Sequence, residues 1–594
     1  MLKIIRVLIL LVFCLFFLPK FVFGEGEILD ADIKRAIEAQ DEFIIKEQNR
    51  LKLDQELLDT TIKTKALPKV DFEEMKLPEK MDGSLPSFNI TKIEFEGVKS
   101  LDLFVQNRLK KNYVRRGLTI NEINMLVRDL TNIYINKGYV TTRVYIPKQN
   151  LSLGTLKLSI QEGFIEDIVI QDCVVDIVLN ESKGTEINTA FPGLIGKTLN
   201  IRDIEQGLDQ INRLQVNNAE IKLVPSEKTM GATKVVIKNK PSTQGNANIR
   251  YDTLSEPKVQ LIPNAFDVSY ANLFHLNERL ALNYSQKFKD NQQFNNSISL
   301  DFSIPYGYFT WNLAYSQFDY MMLIQDLNRK FTSSGKTITI RSDLDCVLYR
   351  GKSMKTSVKT GLTVKDTKSY MEDVISDVGT RKLVLLTFGI NQSIYTSFGS
   401  FFMGMSLVNG IGRLGATRDT YNLSNNNPKA QFKKVNADLT WFNTIYVHRH
   451  PVSLQSRWYA QYSYDTLYPT EKMSLGDFSS VRGYDSIQQG DAGIYCKNEF
   501  SYGITDLLSG LIGFEKASKF RVYHALDIGG IRQKAGAGVY GAAWQTTMSG
   551  FSTGVKFNDD GFNLDITISK ALKASSFIEK PKYVVYLNIS RGLF

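Results

Sequence analysis

The chain has 594 residues, of which 43% are apolar and 23% charged, a composition typical of several folded domains rather than a disordered tail. Its net charge of +10, from 72 basic and 62 acidic residues, is too small a surplus to indicate a nucleic-acid-binding protein. Four cysteines exclude a disulfide scaffold, and four histidines disfavour a histidine-based metal centre.

Residues 1–24 have the features of a secretory signal peptide. Lys3 and Arg6 precede an apolar run from Val7 to Leu18, and the Val-Phe-Gly at residues 22–24 is an acceptable cleavage site. No later segment is apolar for long enough to span a bilayer as a helix. We therefore predict an exported chain that is either soluble or a membrane β-barrel.

Residues 25–60 are predicted to form one helix, and residues 61–87 a linker. Isoleucines and leucines at helical spacing between Ile33 and Leu58 make a narrow apolar stripe between heavily charged faces. Such a helix is only marginally stable without a packing partner. Prolines interrupt the segment that follows, so we expect an extended and flexible connection there.

Residues 88–170 and 171–241 are predicted to form two α+β domains. In the first, a helix follows Thr119, with Glu122 at the spacing of a capping box. The second domain repeats the scheme more weakly. The predicted elements of the first are a strand at 88–95, helices at 103–112 and 120–136, and strands at 139–146 and 156–160. Those of the second are a helix at 201–214 and strands at 219–224 and 233–238.

Residues 242–594 have a different sequence pattern: helical periodicity is lost, and short runs of alternating apolar and polar residues recur between turn residues. The clearest run, from Phe562 to Ser569, puts apolar side chains on one face and polar side chains on the other. Roughly sixteen such runs, with aromatic residues crowded at their ends, predict a transmembrane β-barrel. A secreted sandwich or solenoid would also alternate and is the competing interpretation. A barrel of this size encloses a water-filled interior.

One loop is far more specific than the rest of the chain. It ends in Val481, Arg482, Gly483 and Tyr484, and an Asp-x-Gly segment at Asp527 follows later. These features resemble the conserved loop and wall strand of two-partner-secretion transporters, the TpsB family of haemolysin and filamentous-haemagglutinin exporters. The run at residues 489–500 is also similar to that family, with lysine in place of an arginine and phenylalanine in place of a leucine.

The N-terminal half agrees with this resemblance. The segment from residue 134 to Gln149, with Gly138, Tyr139 and the later Gly163, is similar to the signature of the family's first POTRA domain. The sequence at residues 211–225 resembles the second POTRA domain. We expect the two glycines to serve the backbone conformation rather than to contact a ligand.

The resemblance implies a fold with an N-terminal plug helix, two α+β POTRA domains and a C-terminal 16-stranded antiparallel transmembrane β-barrel. It implies that the loop folds into the barrel and that Arg482 contacts Asp527 on the wall. A guanidinium can grip a carboxylate with two hydrogen bonds, which lysine cannot reproduce. In a partly solvated lumen we expect the pair to contribute only about 1 kcal/mol.

The implied function is export of one dedicated unfolded exoprotein across the bacterial outer membrane, with the POTRA domains in the periplasm. An exposed POTRA strand edge would accept the client as an extra strand. We expect a monomer in outer-membrane lipid, with no nucleic-acid partner, cofactor or metal. Whether the client is a haemolysin, an adhesin or another exoprotein stays open.

Three other functions are weighed against export. A barrel-assembly insertase of the same superfamily usually carries more POTRA repeats, and a passive porin or receptor channel predicts no folded periplasmic region. Enzymatic motifs are weak: Gly536–Gly541 fits G-x-G-x-x-G but opens no predicted helix. His448 and His450 lack nearby cysteine or carboxylate ligands at metal spacing, so we predict turn residues and no enzyme.

Overall fold

The computed structural model describes residues 70–71 and 87–593, except for 115, 175–176, 183, 254–263, 291–292, 326–329, 378, 425, 448–449, 506–508, 510–511, 535–542 and 577. The predicted signal peptide, the helix at 25–60 and nearly all of the linker lie outside these described residues, as do Gly536–Gly541 and His448. Within the described ranges, none of the helices combines the length and the apolar character needed to cross a bilayer.

The first periplasmic unit is built from short strands around two helices. The first strand of the chain, β1 Val70–Asp71, pairs with the second unit. The elements of the first unit are β2 Ser87–Ile90, β3 Lys92–Glu96, α1 Leu103–Lys111, β4 Arg116–Thr119, α2 Ile120–Asn136, β5 Arg143–Tyr145 and β6 Thr155–Gln161. β2 pairs with β4, and β6 lies between β3 and β5. The strand predicted at 88–95 is two strands, because the backbone N–H groups of Thr91 and Lys92 both donate to Gly154 O and turn the chain there.

Helix α2 forms where the capping box predicts it. The Thr119 hydroxyl accepts from the Glu122 N–H, and the Glu122 carboxylate accepts from the Thr119 N–H at 2.8 Å. Leu126, Leu130 and Tyr134, at four-residue spacing, are buried in the core of this unit. This stripe fixes the helix face that meets the sheet.

The second periplasmic unit is a five-stranded sheet covered by helices. Its elements are β7 Phe164–Val174, β8 Ile177–Ser182, α3 Thr185–Ala190, α4 Ile201–Asn212, β9 Ala219–Pro225 and β10 Ala232–Asn239, with sheet order β1-β9-β10-β7-β8. The predicted boundary between residues 170 and 171 falls inside β7, so the structure moves that boundary to Phe164. The apolar run Ile168-Val169-Ile170 carries no turn residue that could reveal it. The elements β4, β7, β8 and α3 were not predicted from the sequence.

Two residues of the predicted linker belong to this second sheet. Val70 and Asp71 pair in parallel with Ile221 and Lys222 of β9. The chain before the first unit therefore covers the outer edge of β9, while β5 ends the sheet of the first unit.

The C-terminal region is a closed antiparallel barrel. Its strands are β11 Gly245–Asp252, β12 Ala265–Ala271, β13 Arg279–Asp290, β14 Gln293–Tyr306, β15 Phe309–Gln325, β16 Lys330–Arg350, β17 Met354–Met371, β18 Val374–Ile375, β19 Arg381–Thr396, β20 Gly399–Gly410, β21 Lys433–Val447, β22 His450–Ser463, β25 Ala492–Gly503, β26 Phe520–Gln533, β27 Trp544–Asp559, β28 Phe562–Lys573 and β29 Val584–Gly592. The short strands β23 Met473–Leu475 and β24 Gln488–Gly490 form a separate pair between β22 and β25. β18 extends the outer end of β17, which also pairs directly with β19, so the ring has sixteen strands. Pairing of β11 with β29 closes it.

Strand parity separates the two barrel faces as the alternation predicts. On β28, Ile566 and Ile568 are 40% and 51% exposed, whereas Thr567 and Ser569 are each 1% exposed. The apolar set faces outward and the polar set faces the lumen. This is the arrangement of an outer-membrane barrel rather than of a sandwich with an apolar core.

Candidate functional site

The loop at residues 464–491, between β22 and β25, folds into the barrel instead of extending away from it. Its short strands β23 and β24 pair with each other and pack beside β26. Leu467, Leu475 and Val481 are fully buried. The loop is therefore an ordered part of the lumen.

Arg482, at the tip of this loop, meets Asp527 on the inner face of β26. Its Nε and Nη2 lie 2.6 and 2.8 Å from the two carboxylate oxygens, and its backbone N–H donates to the same carboxylate at 3.2 Å. Arg482 is 2% exposed and Asp527 is fully buried. This burial differs from the partly solvated pair expected from sequence. Removing one partner of a buried pair costs about 3–5 kcal/mol because a charge is left unpaired.

A second carboxylate contributes to the Arg482 site. Glu499 Oε2 lies 3.7 Å from Arg482 Nη1, and the other oxygen of Glu499 accepts from Lys556. Glu499 follows Lys497 by two residues on β25, so both side chains point inward. That parity is the signal by which sequence reasoning could have found Glu499 as a partner.

Phe478 links the loop to two cations and one ring. Lys497 donates to its carbonyl oxygen, and the Lys497 and Arg482 cations lie 5.2 and 5.7 Å from its ring centroid. The ring also packs edge-on against Tyr586, with centroids 5.0 Å apart. Cation–π contacts of this kind add to the ion pair and hold the loop beside the wall.

The neighbours of Arg482 fit the loop tip against β27 and β28. Gly483 has φ +100°, and a Cβ there would lie 2.7 Å from the Lys570 carbonyl carbon. The Tyr484 hydroxyl lies 2.9 Å from Ser549 O and 2.5 Å from Lys573 O, where a bulge shifts the register of the two strands. Bulges leave ladder groups unpaired, and Tyr484 supplies the missing donor.

Glycines on the inner wall make room for the loop. A Cβ on Gly550 would lie 1.9 Å from Arg482 O, and one on Gly529 would lie 3.0 Å from the Leu475 side chain. Only wall strands without side chains at these positions allow so close an approach. We call Gly529 and Gly550 the wall glycines.

The start of the loop is held by other strands of the barrel wall. The Glu471 carboxylate lies 2.6 Å from Lys365 of β17 and 3.1 Å from Lys434 of β21. Leu467 packs in an apolar cluster with Leu383 and other residues of β19 and β20. The loop thus has ionic contacts with the barrel wall near its start and at its tip.

The predicted POTRA signature residues lie in the periplasmic units, away from this loop. Gly138 and Gly163 lie where the two units meet, and the Tyr139 ring packs edge-on on Tyr134 at 6.0 Å. The Gln149 side chain pairs with the Lys157 backbone, accepting from its N–H at 2.7 Å and donating to its O at 2.8 Å. In the described part of the chain, no three His, Cys, Asp or Glu side chains are arranged to hold a metal ion.

Comparison with known proteins agrees with this geometry. Residues 231–557 match the family described as haemolysin secretion/activation protein ShlB/FhaC/HecB. Residues 88–163 match the ShlB-type POTRA domain, and residues 165–225 match a POTRA domain. The chain belongs to this family. It is a two-partner-secretion transporter of the outer membrane, with its POTRA domains in the periplasm.

Relatives support the assignment along most of the chain. The hemolysin transporter protein ShlB of Serratia marcescens is 30% identical over 427 residues, which cover 70% of this chain and 73% of that protein. The outer membrane transporter CdiB of Dickeya dadantii is 29% identical over 433 residues, covering 72% and 75%. The structure of CdiB from Escherichia coli has the same fold, with a TM-score of 0.79 at 24% identity over 96% of this chain and all of that one.

The buried ion pair predicts a large effect of Asp527→Ala on the loop tip. The Arg482 guanidinium would keep only the more distant Glu499, so the tip should be destabilised by about 3–5 kcal/mol. Hydrogen–deuterium exchange of the amides at 478–484 should speed up, and export should fall. Asp377→Ala, in the exposed turn between β18 and β19, is the control. Unchanged exchange in Asp527→Ala would show that the pair does not hold the tip.

The wall glycines predict a steric effect that requires no charge. In Gly550→Ala the new methyl would collide with Arg482 O, so the tip should leave the wall and exchange faster. In Gly530→Ala, on the neighbouring strand, the nearest atom is Thr546 O at 3.5 Å, so the loop should stay in place. Equal exchange in the two variants would contradict a role of Gly550 in seating the loop.

Proposed function

We propose that this transporter exports one dedicated exoprotein, which it captures unfolded in the periplasm and passes through the barrel without enzymatic activity. The observation that carries the proposal is the family loop held inside the barrel by Arg482 and Asp527, in a chain whose POTRA domains contact the barrel turns. A haemolysin or an adhesin-type protein is the client class, in keeping with relatives named as hemolysin transporters.

The proposal divides the chain into functional segments. Residues 1–24 are the signal peptide, 25–60 a plug helix that occupies the pore at rest, and 61–87 its linker. Residues 88–170 and 171–241 are the predicted POTRA units, with the boundary correction given above, and 242–594 form the barrel. The mature protein is proposed to act as a monomer in outer-membrane lipid.

The client is proposed to add as a strand to the edge of β5. That strand ends its sheet, and Tyr145 and Ile146 beside this edge are 47% and 44% exposed. The corresponding edge of β9 already carries β1. Strand addition uses backbone hydrogen bonds and tolerates many client sequences, while exposed apolar side chains supply selectivity.

Deleting this gene should remove one large exoprotein, encoded beside it, from the cell surface and the medium. Because the transporter is dedicated, the outer-membrane protein profile should stay unchanged, and the intact gene in trans should restore export. Loss of many outer-membrane barrels would instead indicate an insertase. If neither the exoprotein nor the barrels change, the export function is wrong and a passive channel remains.

Deleting residues 25–60 should raise the single-channel conductance of the purified protein in planar bilayers. The plug would be gone while the barrel stays intact. A matched control deletes residues 72–80, which shortens the linker and keeps the helix. A rise in the control as large as that in the deletion, or no rise in either variant, would contradict the plug.

A further inference from the structure

The signature glycines Gly138 and Gly163 lie at the contact between the two periplasmic units. Gly138 O accepts from the Ile201 N–H at 2.8 Å, and Gly163 O accepts from the Leu199 N–H at 2.8 Å. The Asn200 side chain, which caps α4, also donates to Lys137 O at 3.3 Å. The first unit thus bonds directly to the start of α4 in the second.

Both glycines are required by close approach and not only by turn geometry. Gly138 has φ +98°, and a Cβ there would lie 2.2 Å from Asn200 Oδ1 across the contact. A Cβ on Gly163 would lie 2.3 Å from Thr141 Oγ1. A larger residue at 138 must therefore displace the capping side chain of Asn200 across the contact, and one at 163 must displace Thr141 within the first unit.

Glu162 ties the same contact together. One carboxylate oxygen accepts from the Lys99 and Ser100 N–H groups at 2.8 and 2.7 Å and from the Tyr134 hydroxyl at 3.0 Å. The other oxygen accepts from Thr198 of the second unit at 3.5 Å. Burial favours the neutral carboxyl, but the donors outweigh it and lower the pKa of Glu162. The charged form is the one that this contact holds.

Helix α4 continues the connection to the barrel, because two of its faces are occupied. One stripe, with Ile204, Leu208 and Ile211, is buried in the core of the second unit. The other faces the periplasmic barrel turns. Its contacts are Asp203 with the Tyr308 hydroxyl at 2.6 Å, Gln210 with Gly307 O at 2.8 Å, Asp209 with Arg350 at 2.5 Å and Arg213 with Asn277 O at 2.6 Å.

We propose that Gly138 and Gly163 form a rigid elbow which, through α4, holds the first POTRA unit at one fixed position relative to the barrel. The signature glycines are positioning residues: they close the elbow and do not touch the client. The role of the elbow rests on the proposed function: the elbow would keep the β5 edge, to which the client is proposed to add, at a constant distance from the pore.

Spin-label distance measurements on the full-length protein test the elbow without any client. Labels introduced as unnatural amino acids at Asn107 of α1 and Ser397 of a periplasmic barrel turn, both exposed, report the position of the first unit. The unmodified protein should give one narrow distance peak. In Gly138→Ala the peak should broaden, shift or split. A broad distribution in the unmodified protein would overturn the rigid elbow.

Two controls separate the elbow from general strain. Gly193→Ala and Gly196→Ala carry the same left-handed backbone, with φ +66° and +81°, but have nothing within 4 Å of an added Cβ, so their peak should stay narrow. Asn200→Gly removes the side chain that the new methyl group of Gly138→Ala would strike, and glycine at a helix N-cap costs only a few tenths of a kcal/mol. Adding Asn200→Gly to Gly138→Ala should restore part of the narrow peak.

The outcomes keep this inference distinct from the export function. A narrow, unshifted peak in Gly138→Ala together with lost export would overturn the elbow and indicate that the glycine contacts the client. A broadened peak with rescue by Asn200→Gly supports the elbow even if the exoprotein proves to be of another class. Equal broadening in Gly193→Ala would also overturn it, because the effect would then be strain alone.

Discussion

The lumen of this barrel is organised around one buried ion pair, Arg482 with Asp527. Charges removed from water are stable only when paired and fully hydrogen-bonded, so the pair dictates what surrounds it. The wall glycines let the loop reach Asp527, the strand bulge receives Tyr484, and Glu499 offers a second carboxylate. Each of these features would destabilise the barrel wall if the loop were absent. Together they are complementary to this loop.

The start and the tip of the loop are both held by ion pairs, and the attraction within an ion pair depends on the exclusion of water. Glu471 lies between Lys365 of β17 and Lys434 of β21, and Arg482 reaches Asp527 of β26. Coulomb attraction weakens many-fold as the local dielectric rises, so water that enters the lumen lowers the cost of separating these ions. Apolar contacts between loop and wall would respond to water in the opposite way, because the hydrophobic effect favours them in water. The ionic contacts of the loop therefore depend on the low dielectric of their buried surroundings.

A structural feature could be predicted from the sequence alone when residues close together in the chain determine it. Strand parity in β28 and the capping box of α2 are local patterns, and both appear as predicted. The contact of Glu471 with Lys365 and Lys434 joins distant strands that only barrel closure brings together, so no local pattern encodes it. The residues through which α4 contacts the barrel are polar, and polar positions on a helix ordinarily face solvent, so the sequence does not reveal this contact. The Arg482 partner came from family resemblance, since many lumen residues are charged.

The periplasmic and membrane halves of the molecule use different physics for different tasks. The elbow and α4 rely on backbone hydrogen bonds, on an apolar core and on glycines whose neighbours approach too closely to leave room for a Cβ atom. Such contacts resist gradual displacement, because packed interfaces are not continuously deformable. The lumen relies instead on ion pairs between the loop and the barrel wall. The POTRA region is therefore held by packing and backbone hydrogen bonds, whereas the loop in the lumen is held in large part by ion pairs.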